Sequence, residues 1–449
     1  MVSIWGSHLD RSDGVLLDIS PNSIGNLTSY PNDFLDYHNL YNYFDGGDVG
    51  SGHEINPFNN QKYTEQIVPR GDYTRVLAEF WADGPDSETP PGHWFIILNE
   101  VNDDDDLIRK FKGIGEELDR LDWDIKSYFL MGGAMHDAAI SAWGSKGYYD
   151  YARPISVIRY LSEKGQSTYK DSINYNLNGF PLIDGYIEMV SITDPLVGDN
   201  NENLGKVKLF TWKGFNQTDS TDVEKGVDWI LAENWWPYQR PSFVTPPFAG
   251  YISGHSTYSS AAATILEKLT GSEFFPGGMG EFIIPKNNFL VFEKGPSVDM
   301  KLQWATYRDA ADQCSLSRIW GGIHPYIDDI PGRIMGKTIG EDAFSKGQLL
   351  FEEKSVVAGN EFIDNIVSVY PNPLPTDRNL IVLNETSKNI DRIEFFNLSG
   401  DIIFSKNIND NHKKIILKLN NLSVGIHLLL IHFEDGSARS TKIILNDNL

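Results

Sequence analysis

The stretch Leu121–Lys146, LDWDIKSYFLMGGAMHDAAISAWGSK, decides the fold. It contains no proline, and apolar residues recur at Ile125, Tyr128, Phe129, Met131, Met135 and Ile140, so it is expected to form a long buried helix at the centre of the molecule. Helical patterning extends outward from it. Tyr73–Ala82 reads as a short helix closed by Asp83-Gly84-Pro85, and Pro91-Gly92 opens another through Trp94–Leu98. Further helices are expected near 152–163, 226–235, 255–270, 300–314 and 333–353, joined by long loops around 164–225 and 272–299. The acidic run Asp103–Asp106 is expected at a helix N-terminus, where carboxylates complement the dipole.

These readings predict a mainly α protein with a helical bundle over 71–355, preceded by an irregular segment over 1–70 rich in Asn, Gly, Asp and Pro. After a linker at 356–361 the pattern changes. Ile366–Tyr370, Leu380–Leu383, Ile393–Phe396, Ile402–Phe404, Ile415–Leu419, Ile426–Ile431 and Thr441–Leu445 are short runs between turn residues, which predict a small C-terminal β-sandwich over 362–449.

Composition excludes several classes of function. With 62 acidic and 38 basic residues the 449-residue chain carries a formal charge of -24, which disfavours nucleic acid and anionic membrane surfaces as partners. The single cysteine, Cys314, allows neither a disulfide nor a thiolate metal cluster. The longest apolar runs, Trp94–Leu98 and Ile426–Ile431, are too short for a membrane span, and Met1–Tyr30 shows no apolar signal-peptide core.

Against this acidic background, three distant segments gather groups suited to a tetrahedral oxyanion. In the first, Pro154 pushes Arg153 out of the α region, so Lys146 is expected to end one helix and Arg153 to open the next. Arginine offers a planar fork to two oxygens and lysine a mobile point charge. Taken alone, the pair is also what helix ends carry at a surface. In the second segment, Ser253-Gly254-His255 leads into an Ala-rich helical stretch, which places a hydroxyl and unpaired amides at a helix start. His255 has an imidazole able to exchange protons near neutrality, although the same segment can be an ordinary cap.

The third segment is Ser317-Arg318 followed by Gly321-Gly322 and His324. Six residues of unbroken helix would turn His324 about 240° away from Arg318, so a shared site needs a bend, which the glycine pair supplies. Asp328, one turn beyond His324, can fix the imidazole tautomer.

In order, these segments resemble the signature of vanadium-dependent haloperoxidases and type 2 phosphatidic acid phosphatases: Lys-x6-Arg-Pro, Pro-Ser-Gly-His and Ser-Arg-x5-His. Ile252 stands where the second motif usually has proline. The stretch Ala78–Trp94, with Met135–Ala139 and Trp143, is similar to soluble bacterial haloperoxidases. That resemblance implies a helical bundle of the haloperoxidase/acid phosphatase type. Vanadate would be held by Lys146, Arg153, Ser253, Gly254 and Arg318, with His324 as its single protein ligand. His255, Lys146 and His324 would be catalytic, Trp143 and Phe248 would line the pocket, and Asp137 would brace Arg318. Hydrogen peroxide would oxidise iodide or bromide to hypohalous acid. A secreted acid phosphatase with His324 as nucleophile is the alternative, and a non-catalytic surface protein a third reading.

The C-terminal segment resembles a type IX secretion sorting domain through Val369-Tyr370-Pro371-Asn372-Pro373, Phe395–Gly400, Leu422–Gly425 and Lys442-Ile443-Ile444. This implies type IX machinery as a partner and a secreted or cell-surface location. Such cargo carries an N-terminal signal peptide, so the natural chain is expected to start upstream of Met1.

Overall fold

A computed structural model describes residues 1–445 except positions 26, 28, 83–87, 215–225, 353–366, 376, 377, 387, 398, 399 and 409–412. The expected linker at 356–361 and the breaker at 83–85 lie outside the described residues. Two compact units are present, Met1–Leu350 and Phe351–Leu449.

In the first unit a short turn, α1 (Val2–Trp5), is followed by α2 (Arg70–Phe80), α3 (Pro90–Asp103), α4 (Arg120–Tyr149) and α5 (Pro154–Glu163). Then come α6 (Gly254–Thr270), α7 (Tyr307–Trp320) and α8 (Tyr326–Glu352). The central helix is α6 rather than α4. All residues from Gly254 to Leu266 are buried, and the helix packs against α3, α4 and α7. A helix surrounded in this way carries small and apolar residues on every side.

One face of α4 is buried and the other faces solvent. Leu121, Ile125, Phe129 and Ile140 are 69, 58, 51 and 60% exposed, whereas Trp123, Leu130, Met131, Met135 and Ala138 are buried. The expectation of a helix buried all round is therefore corrected: its apolar residues cover more than one face, so their count alone cannot say which face is inside. The inward stripe continues Ala134, Ala138, Ala142, Lys146 at intervals of four, delivering a lysine to the protein interior.

Three glycines seat α8 on α6. A Cβ at Gly332 would approach the Ser253 carbonyl to 2.9 Å, and one at Gly340 would approach the Ala261 carbonyl to 2.7 Å. Gly336 is tighter still, with the Thr257 carbonyl at 2.2 Å from such a Cβ. Backbone therefore lies on backbone along two turns. The Ser253 amide donates to the Asp328 carbonyl at 2.9 Å, fixing the start of α8 beside the start of α6.

Two of the expected helices contain strands. Residues 226–235 contain the strand Val227–Leu231, paired antiparallel with Val207–Trp212, which in turn pairs with Ile187–Met189. Residues 300–314 divide into the strand Met300–Trp304, paired with Gly280–Ile284, and then α7, which opens on a capping box between Thr306 and Asp309. Asp103 ends α3 and Asp104–Asp106 follow it instead of starting a helix, and α4 begins later, capped by Asp119.

The second unit is strand-rich. Val367–Tyr370, Asn379–Asn384 and Lys414–Lys418 form one antiparallel sheet. Ile402–Asn407, Ile390–Phe396, Gly425–Phe433 and Ala438–Leu445 form a second. Leu380, Val382, Ile393, Phe395, Leu429 and Ile443 belong to one buried core shared by both sheets. The seven alternating runs of the sequence fall on these seven strands.

Candidate active site

Lys146 lies on the buried face of α4, three residues before its C-terminus. Asp150, in the left-handed region at φ 44, ends the helix, and Arg153 caps α5 ahead of Pro154. Lys146 Nζ donates to the carbonyls of Ala249 and Gly250 at 3.0 and 2.8 Å. Burial, and then the charge of Arg153, hold its ammonium pKa down to about 7 against the pull of Asp328.

Arg153 spans the site. Its Nε donates to the Phe248 carbonyl at 3.0 Å, and its Nη1 lies 3.0 Å from both the Ile323 carbonyl and His324 Nε2. Its Nη2 is buried without a hydrogen-bond partner. Burial lowers the guanidinium to about 10.

The bend between Arg318 and His324 falls at the paired glycines. Gly321 caps α7, Gly322 has a φ of 76, and the amides of Ile323 and His324 return to the Arg318 carbonyl. His324 therefore faces back toward Arg318. His324 Nδ1 sits 2.7 Å from Asp328 Oδ2. Arginine can only donate, so the Arg153 contact requires a lone pair on Nε2, and the Nδ1–H must point to Asp328. Burial, followed by Arg153, Lys146 and Arg318, keeps the imidazole pKa well below its usual value. The result is a neutral histidine whose basic nitrogen faces the cations. Burial pushes Asp328 up to about 7 against Lys146 and Arg153, and its Oδ1 has no hydrogen-bond partner.

At the start of α6, Ser253 accepts from the Ser256 amide at 3.3 Å. Ser256 Oγ lies 2.7 Å from Asp329 Oδ1 and 2.9 Å from Ser253 Oγ. The single Ser256 proton belongs to the carboxylate, so the Ser253 proton is the one able to turn between Ser256 and a bound anion. A Cβ at Gly254 would meet the Trp143 ring at 3.2 Å, which leaves little room there for any other residue. His255 bonds the Trp81 carbonyl, and burial and Arg318 hold it neutral. Arg318 Nη1 donates to the same carbonyl at 2.7 Å.

Trp143 and Phe248 form the outer rim, 42 and 40% exposed, with ring centroids 5.2 Å apart. Lys146 Nζ lies 5.4 Å from the Phe248 centroid and 5.9 Å from that of Trp143. The structure thus brings together Lys146, Arg153, Ser253, Gly254, His255, Arg318, His324, Asp328, Trp143 and Phe248. Asp137 does not join them. It lies exposed on α4 with His136 as its partner at 3.1 Å, so it does not brace Arg318. Sequence reasoning missed the Trp81, Ile323, Phe248, Ala249 and Gly250 carbonyls, because backbone acceptors leave no residue-type signal. It also missed Asp329, although the Asp328-Asp329 doublet after His324 was visible.

The site fits a tetrahedral oxyanion. Among the described residues, Arg153, Lys146 and Arg318 act on the His324 imidazole with Asp328 beside it, and Arg153 retains an unused buried donor. Among the described residues no group of His, Cys, Asp and Glu has the make-up of a cation site, and no helix is long and apolar enough to cross a membrane.

Residues 126–353, just over half of the chain, match the model of the VCPO second helical-bundle domain, and residues 368–446 match the secretion system C-terminal sorting domain. Among solved structures, a bacterial vanadium-dependent chloroperoxidase is similar at 18% identity, over 62% of this chain and 44% of that one, with a TM-score of 0.40. The first bacterial vanadium-dependent iodoperoxidase is similar at 20% identity, over 61% and 43%, with a TM-score of 0.34. The chain therefore spans less than half the length of either. No curated protein matches. Lys146, Arg153, Ser253, Arg318 and His324 all fall inside the matched 126–353 region, and the chain belongs to the VCPO second helical-bundle domain family.

Proposed function

We propose that the chain is a vanadate-dependent haloperoxidase, oxidising iodide or bromide with hydrogen peroxide to hypohalous acid. The observation that carries this reading is the unpartnered, buried Arg153 Nη2 beside a neutral His324 whose Nε2 lone pair faces the cations. Lys146, Arg153, Arg318, the Ser253 hydroxyl and the Gly254 amide would hold vanadate, with His324 as its ligand. Bound vanadate supplies Lewis-acid activation of peroxide without changing oxidation state.

The chain's own residues do the rest. Fixed cations stabilise negative charge as it develops, with little reorganisation. His255, held neutral, accepts the peroxide proton and returns it to departing water. Asp328 holds the Nδ1 proton of His324 and so keeps the Nε2 lone pair available. The Trp143–Phe248 rim, with Lys146 behind it, offers a weakly hydrated anion an apolar approach to a positive charge. Iodide is the easiest halide to oxidise and suits that rim best. The C-terminal unit supports export by a type IX system to the cell surface or beyond.

The test is to dialyse the purified chain against orthovanadate and follow iodide oxidation by peroxide, with p-nitrophenyl phosphate hydrolysis assayed on the vanadate-free protein. Vanadate-dependent triiodide formation is expected. Brisk phosphatase turnover without peroxidase activity would instead assign His324 as a phosphoryl-accepting nucleophile and overturn the proposal.

A further inference from the structure

His93 lines a cavity of about 260 Å³ and packs on Trp81, whose carbonyl belongs to the cradle. Phe80, Phe282, Phe289, Phe292 and Trp304 line it. Phe80 joins three of them, with ring centroids 4.8 Å from Phe282, 6.5 Å from Phe289 and 6.1 Å from Trp304. The volume falls just below the ~300–1,000 Å³ of drug-sized ligand sites, which suits a molecule of one or two rings. Ring edges and faces on several sides favour an aromatic occupant.

The polar lining selects its charge. Glu79, Glu88, Glu100 and Arg240 line the cavity, and burial raises Glu79 to about 8 and Glu100 above its usual value, so the site resists holding charge. An anionic ligand is disfavoured there. Glu79 is committed to structure, because it accepts from the Val291 and Phe292 amides and from the Tyr238 hydroxyl. His93 is buried, 5.0 Å from Phe80 and 5.3 Å from Trp81 between ring centroids. It therefore touches the cavity wall and also the residue whose carbonyl holds Arg318 and His255.

We propose that this cavity binds the organic acceptor of the reaction, a neutral aromatic alcohol of one or two rings, with its hydroxyl donating to the His93 imidazole. The proposal rests on the haloperoxidase reading, since the oxidant is the hypohalous acid formed in the cradle. The ring carbon forms a bond to halogen as the oxygen–halogen bond breaks. The electron pair stays on oxygen, which takes up the displaced ring proton and leaves as water. The ring is oxidised and the halogen reduced. A hydrogen bond from the phenol to His93 enriches the ring in electron density and makes His93 a positioning residue.

The experiment measures binding of 2-naphthol, 2-naphthoate and 2-methoxynaphthalene to the full chain without vanadate or peroxide, by tryptophan fluorescence and saturation-transfer NMR. Saturable 2-naphthol binding is expected, at least tenfold tighter than that of the carboxylate. Ile96→Trp, which fills the cavity, should weaken it tenfold or more, and His93→Phe should abolish the preference for the alcohol over its methyl ether. Absent binding, equal binding of naphthoate, or indifference to I96W would each overturn the assignment. With vanadate, peroxide and iodide present, the ratio of naphthol iodination to iodide oxidation should fall in I96W. An unchanged ratio would place the reaction in free solution and overturn the acceptor role. Iodide oxidation without naphthol binding sinks the cavity alone, whereas naphthol binding without iodide oxidation sinks the haloperoxidase reading and the acceptor role with it.

Discussion

Asp328 and Asp329 adjoin in the first turn of α8, both fully buried, and they face opposite surroundings. Asp328 touches His324 and is drawn by Lys146 and Arg153, on the side where Arg318 also acts on the imidazole. Asp329 meets Arg333, which pairs with Asp329 at 2.7 Å and Asp312 at 2.8 Å and lies 3.9 Å from Asp48. Ser256 and Tyr41 add hydroxyl bonds to Asp329, each at 2.7 Å. Among the described residues, the first cluster sets several cations near Asp328, and the second gathers several carboxylates on Arg333. The first keeps the buried Arg153 Nη2 unused. The second is closed by the protein's own groups and ties α6, α7, α8 and the N-terminal segment together. Two buried ionic clusters a residue apart thus divide between binding and architecture according to which charge is in excess.

The largest expected effect is on the binding side. His324→Ala should lose vanadate retention and iodide oxidation below detection, with its unfolding midpoint close to wild type. Retained vanadate at stoichiometry, measured by elemental analysis after gel filtration, would remove His324 from the site. Arg333→Met should act oppositely. Removing the cation strands three buried carboxylates, at a cost of about 3–5 kcal/mol in stability. Urea unfolding would show it, and a variant as stable as wild type would break the architectural half of the comparison.

Asp328→Asn keeps the shape and an acceptor for the His324 Nδ1 proton, so the fold should hold. Outer partners of a metal-bound histidine contribute roughly 10–100-fold in affinity, and a loss of that order in vanadate affinity is expected by titration. Unfolding of this variant, with vanadate affinity unchanged in the folded fraction, would assign both aspartates to architecture.

Lys146 sharpens the point through pH. Its folded pKa of about 7 lies below the usual lysine value of 10.5, so between these limits the unfolded chain binds more protons and stability rises with pH. Wild type should therefore gain unfolding temperature relative to Lys146→Met as pH goes from 7 to 10 in anion-free buffer. A parallel pair of curves would mean that the ammonium is not held at the cost of burial.

The cradle was legible because each segment carries a local constraint. Pro154 sets Arg153 apart from the helix before it, Ser253-Gly254 start α6, and Gly321-Gly322 turn His324 back to Arg318. What stayed illegible depends on neighbours distant in sequence. The outward face of α4 has the composition of an inward one, and only packing against α6 separates Met131 from Ile125. The strands at 187–231 carry the local pattern of loop and helix, because each is short and gains its partner only across the insertion. The seven C-terminal runs were readable because turn residues bound each one and alternation repeats within it.

Asp137 supplies the smallest effect and the cleanest control. The family resemblance gave it a role beside Arg318, but its side chain lies in solvent on α4, one residue from His136. An exposed pair of this kind contributes little, and Asp137→Ala is expected to stay within about 0.5 kcal/mol of wild-type stability. Iodide oxidation and vanadate affinity should both be unchanged within twofold. A tenfold loss of either would mean that α4 turns Asp137 inward when the anion binds, and the excess of positive charge assigned to the cradle would have to be reduced by one carboxylate.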